Sequence, residues 1–364
     1  MKLNFINQIL VEARIGGQPH PEDAIFDGAS AAQQAVESLR YVITHPQSIT
    51  IKFDGFPALV FGRLRDGRFT VQDKYMFDNK FFADSPQAWQ QYDSQKKSGK
   101  LRPDLYTKLT NLWAGLEEAV GNSEGFFWGD LLWWKQLTPI NDKFVFKPNV
   151  VEYRVAVKSP LGQKIAGSIG GIVVHQYFKD ENSGAAQWNG KGLKLDGSVA
   201  VLTPSADTSF KLDDPVQLTK AATAAVNQYG KVTEDFLNGL DSVARQAIQK
   251  YCNKRITGQT EEELVSWLAT PTNISTKQYK ILVGEDGNGY LSQHLNGVNG
   301  LFFIWNAVYA LKVNLAQQLE QQIQGMEQWV GNRQEGEGFV FNTPTGLVKL
   351  VQRGTFSQAL FAKE

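Results

Sequence analysis

Residues 213–332 of this chain have helix-forming composition, and they interrupt two stretches built from short β-rich runs. The block is rich in Gln, Ala and Leu, as in "TKAATAAVNQY", "SVARQAIQKYCNKR", "EEELVSWLA" and "FFIWNAVYALKVNLAQQLEQQIQGMEQWV". Before it, from Ser48 to about Ala200, come "SITIKF", "ALVFGR", "RFTVQDKY", "GFFWGDLLWW", "KFVFK", "VVEYRVAV" and "GGIVVHQYF". Turn signals such as Asp66-Gly67 and one helical stretch, "LYTKLTNLWAGLEEAVG", separate these runs. After the block, "EGFVFNTPTGLVKLVQRGTF" turns at Pro344 and Gly346 and returns as β structure. Two β regions flanking a helical block read as one β-rich domain carrying an insertion, so the expected class is α+β with antiparallel sheet. Ahead of it all, Pro21 to Thr44 has apolar recurrences at Ala32, Val36, Leu39 and Val42, close to the helical period, with Asp27 or Ser30 as the candidate cap.

Composition removes several function classes. No apolar run reaches the roughly 18 residues a membrane span needs, and Glu12 and Arg14 stand where a signal peptide is apolar, so a cytoplasmic protein is expected. Cys252 is the single cysteine, which excludes an internal disulfide framework and any multi-cysteine zinc site. Lys plus Arg equals Asp plus Glu at 37 each, so a nucleic-acid partner needs a local basic surface rather than a global field. Two clusters qualify: Lys250, Lys254 and Arg255, and Lys96, Lys97, Lys100 and Arg102.

The stretch "SITIKFDGFPALVFGR" places Lys52 among Ile49, Ile51 and Phe53. A lysine in such a setting costs free energy unless it is paired or does chemistry, because a buried ammonium is poorly solvated. The same desolvation frees the amine as a nucleophile. Gly55, just beyond, permits close approach of a backbone or a ligand. Taken alone, Lys52 reads as an edge-strand lysine with its head in solvent.

Lys52-Phe53-Asp54-Gly55 resembles the K-x-D/H-G motif of the covalent nucleotidyltransferases, the superfamily of ATP-dependent DNA and RNA ligases and mRNA capping enzymes. Further resemblances follow in order. "QDKYMF" places Lys74 at a basic position after a strand, Gly129-Asp130-Leu131 resembles G-E-L, and "GGIVVHQYF" or "VVEYRVAV" stands where the family supplies a stacking aromatic. Glu337-Gly338-Phe339-Val340 resembles the E-G-hydrophobic-V motif, and Lys349 the first lysine of the last motif. The layout is also similar to RNA-ligase-like proteins of large tailed bacteriophages, which implies a host cytoplasm.

The resemblance implies an antiparallel-sheet nucleotidyltransferase (ATP-grasp-like ligase adenylation) domain over residues 1–212 and 333–364, with 213–332 as a helical insertion; in a departure from DNA ligases and capping enzymes, no C-terminal OB domain is expected after Lys349. It implies ATP and Mg²⁺ (or Mn²⁺) as cofactors and RNA or DNA ends as partners, with no membrane. Lys52, Asp54 and Lys349 would be catalytic, Lys52 attacking the α-phosphorus of ATP to form lysyl-AMP. Ile51, Gly55, Lys74, Asp130, Tyr177, Phe178, Glu337 and Lys349 would bind the nucleotide, with Tyr177 or Phe178 stacking on the base. Asp130 and Glu337 would hold the metal. The tail strands would pair alongside "SITIKF" and "GFFWGDLL", gathering Lys52, Asp130, Glu337 and Lys349 around one pocket.

Departures qualify the match. Pro57 stands where DNA ligases and capping enzymes carry an arginine, which leans toward RNA ligases, and Val351 replaces a second lysine that Arg353 or Lys147 would have to supply. Other readings are a nucleotidyltransferase with another acceptor, capping-like or protein-modifying, and a non-catalytic ligase-fold protein. His175, on an apolar strand, reads as a satisfied core histidine.

Overall fold

The computed structural model describes residues 20–95, 101–204, 210–344, 346–351 and 353. The strands are β1 (Ile49–Ile51), β2 (Ala58–Arg63), β3 (Phe69–Gln72), β4 (Gly125–Trp133), β5 (Lys143–Phe146) and β6 (Glu152–Ala156), then β7 (Gly170–Phe178), β8 (Ala186–Gln187), β9 (Val199–Leu202), β10 (Met326–Trp329), β11 (Phe339–Thr343) and β12 (Gly346–Leu350). The helices are α1 (Ala29–Thr44), α2 (Lys74–Asp78), α3 (Pro86–Gln95), α4 (Pro103–Val120), α5 (Pro160–Ala166) and α6 (Pro215–Asn238), followed by α7 (Ser242–Ile256), α8 (Leu264–Leu268), α9 (Thr276–Leu282), α10 (Tyr290–Gln293) and α11 (Leu295–Glu320). The class is mixed α and β with antiparallel sheets, β7 and β9 being the one parallel pair among the described strands.

The chain divides into two compact units, and each is a discontinuous piece of sequence. The first takes in the chain up to Ile51, Ala206–Gln322 and Gly338 onward; the second takes in Lys52–Ser205 and Ile323–Glu337. The helical block therefore groups with α1 and with the strands β1, β11 and β12, whereas the sequence reading kept residues 1–212 together. The reason is packing: α6 lies along α11 and α1, and α1 also touches β11. The apolar stripe of α1 predicted from its period, Ala32, Val36, Leu39 and Val42, is buried in this unit. Its start differs from expectation, because Pro21–Asp27 forms a separate 3₁₀ turn and Gly28, not Asp27 or Ser30, is the N-cap residue.

In the first unit β1, β11 and β12 form one antiparallel sheet, with Ile51 opposite Phe339 and Val340 opposite Lys349. The tail thus pairs with "SITIKF" as expected. It does not share a sheet with "GFFWGDLL", which is β4 of the second unit.

The second unit holds a sheet in the order β3-β2-β4-β7-β8, with β9 on β7, and a smaller sheet β10-β6-β5. Alternation along the larger sheet puts Leu59, Phe61, Val71, Phe127, Leu131, Ile172 and Val174 into one core with Trp89, Leu109, Leu112 and Leu116 of α3 and α4. The opposite face carries a smaller apolar cluster, Val60, Phe77, Phe126 and Phe178, and the polar groups of the candidate site. No helix among the described residues is long and apolar enough to cross a membrane.

Candidate active site

Lys52 is ion-paired to Glu337, the two side chains being 28% and 10% exposed. Chain direction explains why residues so distant in sequence meet. Ile51 and Phe339 are register partners in an antiparallel pair, Lys52 follows Ile51 directly, and Glu337 stands two residues before Phe339. Gly338 between them has φ +110°, and a Cβ there would meet the Leu350 carbonyl oxygen at 2.1 Å, so the bend after Glu337 requires glycine.

Three residues beyond Lys52, Gly55 runs directly against β4. A Cβ on Gly55 would lie 2.5 Å from Asp130 Cβ, and the Phe56 N–H donates to the Leu131 carbonyl at 2.9 Å. Three residue steps span at most about 11 Å between Cα atoms, so the chain alone keeps the Lys52–Glu337 pair within reach of Asp130.

Asp130 lies on the polar face of β4, and its carboxylate accepts from His175 Nε2 at 3.3 Å. The pairing of β4 with β7 slips between Trp128 and Gly129, where Gln176 and Val174 are the respective partners. His175 is the extra residue of that bulge, and a bulge re-aims side chains. This corrects the core-histidine expectation: the ring is 33% exposed and touches Asp130. Its edge also meets the Trp128 ring at 5.5 Å.

Beyond Asp130, one row crosses the sheet as Gln72, Val60, Trp128 and Gln176, each opposite the next and therefore on one face. Both amide atoms of Gln72, Trp128 Nε1 and Gln176 Oε1 are buried without a hydrogen-bond partner among the described residues. Lys74, the first residue of α2, pairs with Asp78 and sets its Nζ 5.6 Å from the Trp128 ring centroid and 5.9 Å from that of Phe178.

Several expected site residues have other surroundings. Asp54 is 6% exposed, and its carboxylate is engaged by the protein itself. Its carboxylate accepts from Asn149 Nδ2 and the Val151 N–H, each at 2.8 Å, and from the Val150 N–H, while its own N–H donates to the Tyr153 hydroxyl at 2.6 Å. Burial raises the Tyr153 phenol well above its ordinary pKa, so it stays a neutral partner. Asp54 is thus a clamp that holds the Lys52–Gly55 segment on the turn before β6. Replacing it with alanine leaves two buried backbone N–H groups unpaired, and we expect a loss of about 3 kcal/mol. A thermal melt of Asp54→Ala superimposable on wild type would refute the clamp.

Tyr177 pairs with Phe127 on the helix-covered face, and its hydroxyl donates to the Glu124 carbonyl at 3.2 Å; it is not a platform beside Asp130. Phe178 lies on the site face but is buried between Phe77 and Trp128. Trp128, which the sequence reading passed over, is the part-exposed ring there. Trp133 is buried in the core, and Trp134 lies beneath the Lys108 ammonium. Ile51 and Lys349 belong to the first unit, Ile51 as a buried strand residue. Burial, then the nearby Arg353 charge, lowers the Lys349 pKa.

Arg353 is engaged by Asp23, Glu22 and Asn253, so its guanidinium is committed to a buried network. Lys147 is exposed. Of the two basic clusters, Lys96, Lys97 and Lys100 lie outside the described residues, and Arg102 is bound to Asp93 and Asp73. Lys254 and Arg255 occupy the last turn of α7, where cations suit the helix dipole.

Among the described residues no group of three or more His, Cys, Asp or Glu side chains forms a metal site. A hard divalent ion that arrives with a triphosphate needs only one or two carboxylates, phosphate oxygens and water supplying the rest. Asp130 and Glu337 are the carboxylates that would have to do this, and here Glu337 is engaged by Lys52 and Asp130 by His175.

The chain belongs to the family of unknown function DUF6267, whose model matches residues 19–364. No curated protein and no solved structure matches it.

Proposed function

We propose that the protein is an ATP-dependent polynucleotide ligase working through a lysyl-nucleotide on Lys52. The observation that supports this reading best is the meeting of Lys52 with Glu337 in the same unit that sets Gly55 against Asp130. A solvated strand lysine has no need of a nearly buried carboxylate delivered by the far end of the chain.

The Lys52 amine attacks the α-phosphorus of ATP. A nitrogen–phosphorus bond forms, the bond to the bridging oxygen breaks, pyrophosphate leaves, and the amine gives its proton to solvent. A 5′-phosphate oxygen of the polynucleotide then attacks the same phosphorus and releases Lys52. Finally a 3′-hydroxyl displaces AMP. The amine must be neutral to attack, so the Lys52–Glu337 pair is a resting arrangement that opens before the first step. Lys74, on the same face as Trp128, supplies positive charge for the phosphates. With Lys and Arg balanced by Asp and Glu, the polynucleotide is attracted locally.

The test is incubation with α-labelled ATP or GTP and Mg²⁺, then a denaturing gel and intact mass. The expected result is a covalent nucleoside monophosphate on the peptide containing Lys52. A folded protein that gains no mass with either nucleotide would remove the proposal.

A further inference from the structure

We infer that Gln328 is a positioning residue that sets Glu337 against Lys52, acting through the backbone of Gly336. This rests on the proposed reading of Lys52 as the nucleophile and adds a residue that lies in none of the motifs resembling the nucleotidyltransferases.

Gln328 lies on the inner face of the small sheet β10-β6-β5. Its neighbours on that face are buried apolar and aromatic residues: Met326 opposite Val155 with Phe144 beyond, and Tyr153 opposite Gln328 itself with Phe146 beyond. Gln328 is 6% exposed, and its Oε1 has no hydrogen-bond partner among the described residues. Leucine or methionine would fill such a place without leaving a buried acceptor unpaired, which costs stability.

What the amide touches accounts for it. After β10 the chain turns at Gly331 and Asn332, where Val330 and Arg333 exchange backbone hydrogen bonds of 2.9 and 3.2 Å, and it doubles back beside Gln328. At Gly336 the vacant Cβ position lies 2.0 Å from Gln328 Oε1 and 2.7 Å from its Cδ. Glycine carries only a hydrogen there, so the amide rests directly on the backbone one residue before Glu337. On the other side of Glu337, Gly338 is confined by the Leu350 carbonyl oxygen. Glu337 is thus held on both flanks.

The same sheet holds the other member of the pair. Tyr153, directly opposite Gln328, accepts from the Asp54 N–H at 2.6 Å, two residues beyond Lys52. Opposite residues of an antiparallel pair stand about 5 Å apart. The Lys52 arm and the Glu337 arm therefore rest on adjoining side chains of β6 and β10, which fixes their separation. Lys52, Glu337 and both strands belong to the same unit.

A water-soluble carbodiimide reads this geometry without any nucleotide. It activates the Glu337 carboxylate, the neutral Lys52 amine attacks the activated carbon, an amide forms, and the carbodiimide leaves as its urea. Peptide mapping then shows Lys52 joined to Glu337 with loss of water. Wild type is expected to give this crosslink and Gln328→Ala to give about threefold less, because bonding depends steeply on near-contact geometry. Gly336→Ala should lose crosslinking too, since its methyl meets Oε1, and the double variant, which makes room for that methyl, should exceed either single. In covalent labelling by ATP, Gln328→Ala should be about tenfold slower than wild type. In a Glu337→Gln background it should add no further slowing, whereas a residue that only stabilised the fold would slow both backgrounds alike. Melting curves establish that every variant is folded. Unchanged crosslinking in Gln328→Ala, equal slowing in both backgrounds, or no Lys52–Glu337 crosslink in folded wild type overturns the inference. If folded wild type crosslinks but takes no label, the proposed function falls, and the crosslink yields still decide the positioning.

Discussion

Lys52→Arg should lose covalent labelling by at least about 10³-fold and melt close to wild type. Arginine keeps a cation opposite Glu337, so the nearly buried carboxylate is not left unpaired. It cannot be deprotonated in a protein, however, and therefore offers no lone pair to phosphorus. Lys52→Ala removes both properties at once and is the weaker test, because any instability from the unpaired Glu337 would mimic a chemical defect. Glu337→Gln completes the comparison. It removes the anion and leaves Lys52 in place, so label should still form, more slowly, and still map to Lys52. Labelling of Lys52→Arg at the wild-type rate would place the nucleophile elsewhere.

The sequence singles out Lys52, Gly55, Asp130 and Glu337 by residue type and order, and the structure brings these four into one unit. The strands that carry or flank them are legible because each is a short β-branched or aromatic run with turn residues at its ends. His175 is misread because a bulge leaves no mark in a strand of apolar residues. Only the register against β4 shows that one residue is extra. Asp54 is misread for a related reason: a carboxylate beside a presumed nucleophile looks catalytic until its acceptor sites are found filled by a turn about a hundred residues on. Trp128 was overlooked because its part-exposure depends on which face of β4 the helices cover. The grouping of the helical block with β1, β11 and β12 is likewise a matter of long-range packing, which local periodicity does not encode.

The hardest feature to read from sequence is the partner of Arg353, and it carries the second large effect. In the first unit Lys312, in the middle of α11, is fully buried and ion-paired to the equally buried Glu22 at 2.5 Å. Arg353, just after β12, reaches Glu22 at 3.3 Å and is paired to Asp23, whose carboxylate also accepts from Trp305 Nε1 at 3.3 Å. Desolvation pushes the Lys312 pKa down to about 8 against the opposing pull of Glu22. The sign follows from proton counting. Between about pH 8 and the ordinary lysine value near 10.4, the unfolded chain binds the proton more tightly, so this group's contribution makes stability rise with pH there.

Removing one partner of a buried pair costs far more than the pair contributes, so Lys312→Ala should destabilise by about 3–5 kcal/mol. Among the described residues Glu22 would then keep only the longer contact from Arg353, and its Oε2 has no partner there already. Lys312→Met combined with Glu22→Gln should recover most of the loss, because Arg353 retains Asp23 and no uncompensated charge remains. Chemical denaturation of Lys312→Met, Glu22→Gln and the double variant measures the coupling directly. Additive losses would show that Lys312 and Glu22 stabilise the fold independently. Coupling of the predicted size would mean that this network anchors the end of β12 and commits Arg353 to structure, so any second phosphate-binding cation must come from elsewhere.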